Sequence, residues 1–68
     1  MSKITITLNG KSTELNSKEL KDLLAEHGPK DRPFAIEING IIVPSSKFNN
    51  FKLEHNDRIE IIAAVGGG

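Results

Sequence analysis

Apolar and polar residues alternate from Lys3 to Leu8, the period of a strand with one face in the core and one in water. Asn9-Gly10 follows, two residues that accept the positive φ of a type I′ turn, so Lys11 to Leu15 is expected to return as an antiparallel second strand. The period then changes. Leu20, Leu23, Leu24 and His27 recur at helical spacing, which predicts one helix of about three turns with an apolar stripe and a polar end. Asn16 or Ser17 is the expected cap, with Asn16 and Glu19 resembling a capping box. Gly28-Pro29 is the expected stop, glycine in a left-handed cap and proline barring continuation. After a polar crossover, Phe34 to Ile38 reads as a third strand with Phe34, Ile36 and Ile38 turned to the core. A second Asn-Gly turn at 39–40 leads into a short fourth strand, Ile41 to Val43, closed by Pro44. Ser45 to Leu53 carries Phe48, Phe51 and Leu53 without sustained period, so a loop with a single helical turn is expected there. Glu54 to Asp57 reads as a turn and Arg58 to Val65 as the last strand.

Strand, strand, helix, then three strands is an α+β order: a mixed sheet of about five strands with one main helix packed across it, the β-grasp fold. The last strand is long and apolar enough to lie centrally, beside and parallel to the first. Residues 1–65 are expected to form one domain and 66–68 a flexible glycine tail. The 68 residues include no cysteine, which excludes disulfides, thiolate metal sites and a cysteine nucleophile. Stability must therefore come from packing in a small core. Nine basic and nine acidic residues cancel, so there is no electrostatic footprint for nucleic acid or an anionic membrane. Three phenylalanines in apolar surroundings do not suggest base stacking. No apolar run approaches transmembrane length, and the amino terminus lacks a signal peptide's basic and apolar regions. The expectation is a soluble cytoplasmic protein with no bound cofactor or metal.

Candidate chemistry is concentrated at one place. Gly66-Gly67-Gly68 follows the isoleucine-rich last strand, and a backbone without side chains enters slots that exclude every other residue. The reactive group on that stalk is the α-carboxylate of Gly68. The competing reading is a terminus with no function, as many are. His27 and His55 are better explained as a cation at a helix end and an exposed turn residue than as bases or ligands. Glu54, Asp57 and Glu60 do not recur at metal-ligand spacing. If Ile59, Ile61 and Ala63 face the helix, Ile62 and Ala64 lie on the opposite face, and Ile41 or Ile42 must also point outward. Ile62, Ala64 and one of Ile41 and Ile42 are the expected docking patch, weighed against the ordinary scatter of surface apolar residues.

Ile38-Asn39-Gly40-Ile41-Ile42-Val43-Pro44, Asp57-Arg58-Ile59-Glu60-Ile61 and Val65-Gly66-Gly67-Gly68, in that order, resemble the ThiS-type sulfur carriers of thiamin biosynthesis. The similarity spans essentially the whole chain. It implies a ubiquitin-like β-grasp protein that is a carrier and not an enzyme. A ThiF-type adenylyltransferase would use ATP to activate the Gly68 carboxylate, with Gly66 and Gly67 entering its active site. Sulfur, drawn through a cysteine desulfurase, would then give a thiocarboxylate for a ThiG-type thiazole synthase. The chain departs from the family in its additional Gly66, in His55-Asn56-Asp57 where Asp-Gly-Asp is common, and in Ser45 and Phe48 after the Val-Pro. The alternatives are a molybdopterin-synthase-type carrier, a ubiquitin-like modifier, and a β-grasp interaction domain whose tail has no chemistry.

Overall fold

Two hairpins, one helix and a final strand account for most of residues 3–64, which are the residues that the computed structural model describes. Strands β1 (Ile4–Leu8) and β2 (Lys11–Leu15) precede helix α1 (Leu20–His27). Strands β3 (Phe34–Ile38) and β4 (Ile41–Val43), a 3₁₀ helix (Ser45–Asn50) and strand β5 (Arg58–Ala63) follow. The sheet order is β2-β1-β5-β3-β4, with β5 central, parallel to β1 and antiparallel to β3. This is the β-grasp topology that the order of elements predicts. Both hairpins turn on Asn-Gly in the left-handed region, with φ of 50° and 85° at residues 9–10 and of 53° and 85° at 39–40. Two-residue turns of this hand match the twist of the strands they join, which is why they set the register of each hairpin.

One face of the sheet is covered. Ile4, Ile6, Leu15, Ile36, Ile38, Val43 and Ile59 from the strands meet Leu20 and Leu23 of α1 and Leu53 in a single buried cluster. Phe34, expected in the core, is only half-buried and stacks on Phe48 of the 3₁₀ helix, ring centroids 5.9 Å apart.

The helix departs from expectation at both ends and is shorter, eight residues. Neither Asn16 nor Ser17 is its N-cap. Glu19 is, without a side-chain cap bond. The reason is a contact distant in sequence: Leu20 N–H donates to the Phe51 carbonyl, Leu53 N–H to the Lys18 carbonyl, and Lys52 bonds the Glu19 carboxylate. Residues 18–20 are thus held extended against 51–53, and the helix starts only after them. Ser17 still takes a capping-like part, its Oγ accepting Glu19 N–H at 3.0 Å and donating to the Asp22 carboxylate at 2.6 Å. At the other end Gly28 is not left-handed (φ −77°, ψ 150°), although its N–H closes the last turn on the Leu24 carbonyl at 2.8 Å. The last strand is described to Ala63; its expected final residue, Val65, lies outside the described residues.

Candidate functional site

Gly66, Gly67 and Gly68 also lie outside the described residues, so the site is built from the strand that leads to them. Alternation along β5 puts Ile59 in the core, with Ile61 and Ala63 half-buried on the helix side. Glu60, Ile62 and Ala64 are exposed on the open face, Ile62 by 51%. Ile62 pairs with Ala35 of β3, and Ala64 N–H donates to the Pro33 carbonyl at 3.0 Å. Ile62, Ala64 and Ala35 therefore form a small apolar surface at the end of the sheet where the chain leaves it. On the helix side of the same end, Phe34 pairs with Ala63 and carries the stacked Phe48.

The other two isoleucines fall elsewhere. Ile42 shares the open face, yet its neighbour on β3 is Glu37, which also faces Glu60 on β5. A carboxylate row thus lies between Ile42 and Ile62. Ile41 does not belong to this surface. It pairs with the core residue Ile38, so it points to the helix side, where it overhangs the edge of the sheet and is 70% exposed. There it lines a hollow of about 410 Å³ between β4 and the segment that follows the 3₁₀ helix.

Three side chains near β5 do more than their turns required. Asn9 Oδ1 accepts Ile61 N–H at 2.7 Å and its Nδ2 donates to the Ile61 carbonyl at 3.4 Å. Asn39 Oδ1 accepts Arg58 N–H at 2.9 Å, and its Nδ2 donates to Asp57 Oδ1 at 2.9 Å. His55, exposed in its turn, accepts Thr5 N–H on Nδ1 at 3.0 Å, beyond the last β1–β5 pairing. Asn56 holds φ at 74°, the left-handed conformation expected of asparagine there. The amide roles had one faint signal, the repeated choice of asparagine at the first turn position. His27, exposed in the last turn of α1, lies 3.9 Å from Glu26. Among the described residues, no three acidic, histidine or cysteine side chains converge as metal ligands, and no helix is long and apolar enough to cross a membrane.

Residues 6–68 match the ThiS family, a span that takes in β5 and the terminal glycines together. The chain belongs to the ThiS family. This is the family of thiamine-pathway sulfur carriers to which the sequence motifs pointed. A thiazole synthase of Paramagnetospirillum magneticum is 34% identical over 64 residues, 93% of this chain but 20% of that protein, so the chain spans about a fifth of that relative's length. An uncharacterised protein, ycf40, of Pyropia yezoensis is 32% identical over 68 residues, covering 98% of this chain and 96% of that one. The solved structure of a thiamine biosynthesis protein, ThiS, from Geobacter metallireducens superposes with a TM-score of 0.74 at 23% identity. It covers 96% of this chain and 100% of its own, and shows the fold.

Proposed function

We propose that this protein carries sulfur for assembly of the thiazole of thiamin, as a thiocarboxylate on Gly68, and is a substrate of its partners and not itself an enzyme. The observation that carries the reading is the family match, which runs from Ile6, in the middle of β1, to residue 68. A carboxylate is a poor acyl donor because its charge and resonance resist attack. A ThiF-type partner would bring a Gly68 carboxylate oxygen in line with the α-phosphorus of ATP; a P–O bond forms and pyrophosphate leaves. Attack of sulfide on the acyl carbon then expels AMP and leaves the thiocarboxylate. With a desulfurase persulfide as nucleophile, the first product is an acyl disulfide, and a thiol reductant must cleave its S–S bond. No cofactor is bound by the chain in this scheme, and ATP belongs to the partner. Side chains at 66, 67 or 68 would crowd the approach, and misplacement by about 1 Å costs on the order of a hundredfold in rate.

Ile62, Ala64 and Ala35 are the surface on which the activating enzyme would dock, since all three are apolar, Ile62 and Ala64 are exposed beside the half-buried Ala35, and only Val65 stands between Ala64 and the tail. Ile42 is at most its outlying edge. The thiazole synthase relative supports the second partner: in that protein a segment similar to this chain shares one polypeptide with the rest of the molecule. Such a linkage keeps a sulfur donor at high effective concentration beside its acceptor. Intact mass after incubation with a ThiF-type enzyme, ATP and sulfide tests the proposal. The expected product is heavier by the difference between sulfur and oxygen, and a variant with one residue added after Gly68 stays unchanged. Equal modification of both would refute the assignment to the terminal carboxylate.

A further inference from the structure

Strand β5 outruns its neighbour on one side only. Toward β3 it remains held through Ala64, whose N–H reaches the Pro33 carbonyl. Toward β1 the ladder runs out where Leu8 pairs with Ile59 and the chain turns away at Asn9. The last backbone bond on that side is Asn9 N–H to the Ile59 carbonyl, 2.9 Å. The Asn9 side chain then occupies the next place in the ladder, bonding both the N–H and the carbonyl of Ile61. A carboxamide carries the same donor and acceptor as a peptide unit. One residue therefore turns the hairpin with its backbone, at φ 50°, and extends β1 with its side chain.

The geometry points to Asn9 as a positioning residue for the carboxy-terminal segment: by holding Ile61 from the β1 side, it fixes the direction in which β5 delivers residues 65–68 to the activating enzyme. This rests on the carrier reading above. Asn9 is not part of the docking surface of Ile62 and Ala64, so its effect falls on delivery and not on docking. Asn39 supplies the control. It grips the start of β5 at the far end from the tail, its Oδ1 accepting Arg58 N–H while its backbone N–H donates to the Arg58 carbonyl.

Adenylation kinetics with a ThiF-type enzyme and ATP, read as pyrophosphate release, test the assignment on Asn9→Gly, Asn39→Gly and Asn9→Asp. Glycine accepts both positive φ values, so these variants remove the amide and keep the turn. Asn9→Gly is expected to lower kcat about tenfold with KM changed less than about twofold, a loss of transition-state positioning at constant binding. Asn39→Gly keeps the kcat of the unaltered protein at a similar cost in melting temperature. Asn9→Asp, whose carboxylate still accepts Ile61 N–H, recovers most of the rate. Equal kcat losses in the two glycine variants, or no loss in Asn9→Gly, would overturn the assignment. If the unaltered protein is not adenylated at all, the carrier reading fails, and backbone relaxation decides the clamp instead. Increased motion at Ala63 and Ala64 in Asn9→Gly but not in Asn39→Gly upholds it; equal motion in both sinks it.

Discussion

Gly28 and Gly10 are both required, for opposite reasons. Gly10 faces open space, but its φ of +85° is one that side chains resist. Gly28 has an ordinary φ, yet a Cβ built there would stand 2.6 Å from the Leu24 carbonyl oxygen. Gly10→Ala is expected to cost about 1–2 kcal/mol from the left-handed backbone. Gly28→Ala is expected to cost about 1–3 kcal/mol as an overpacked contact, outweighing the roughly 0.5 kcal/mol that alanine gains by restricting the unfolded chain. Asparagine separates the causes, because it tolerates positive φ but not a clash. In urea unfolding, Gly10→Asn should recover most of the loss and Gly28→Asn none of it. The sequence pointed to both glycines. Turn chemistry is local, so it explained Gly10 correctly. At Gly28 it assigned a left-handed cap, because the approach of the Leu24 carbonyl depends on the path the chain takes after the helix.

Among the elements, strands were legible where helix limits were not. Period-two alternation gave five strands and the two Asn-Gly turns gave the hairpin pairings, since each signal lies within a few residues of its effect, while the length and apolar character of β5 pointed to its central place. The start of α1 is decided instead by residues 51–53, which pair with 18–20 across more than thirty positions. No local pattern encodes that. The choice left open between Ile41 and Ile42 could have been made from the sequence: a two-residue turn puts residues 38 and 41 directly opposite, and paired residues share a face. The exposure of Ile41 follows from the edge position of β4 and not from its parity. Alternation in β5 supports a sharper test. Ile62→Glu is expected to change stability by less than about 0.5 kcal/mol, as surface substitutions do, while raising KM for the activating enzyme. Ile59→Glu, at a fully buried position, forces a charge into the core and should leave the chain unfolded by circular dichroism. A large fall in melting temperature for Ile62→Glu would mean that Ile62 supports the fold and is not a docking residue.

Taken as a whole, the molecule would, under the proposed function, separate its support from its chemistry. Ten buried side chains hold residues 3–64 together, whereas the proposed reactive atom lies four residues beyond the last one described. A domain of this size has a margin of only about 3–5 kcal/mol, so the two parts should fail independently and visibly. Leu20, with none of its surface exposed, closes the core beneath α1, and Leu20→Ala is expected to cost about 2–5 kcal/mol, most of the available stability. Its adenylation should fall in proportion to the folded fraction, because each folded molecule still presents Gly68. Removing Gly67 and Gly68 should do the reverse: the melting curve stays where it was, and no acyl-adenylate forms even at saturating partner and ATP. Thermal melts and pyrophosphate release on the same samples check both expectations. A truncated protein that melts lower would show that the glycines pack against the sheet, and one that is still activated would show that the partner accepts the new Gly66 carboxylate and does not need the reach of Gly67 and Gly68.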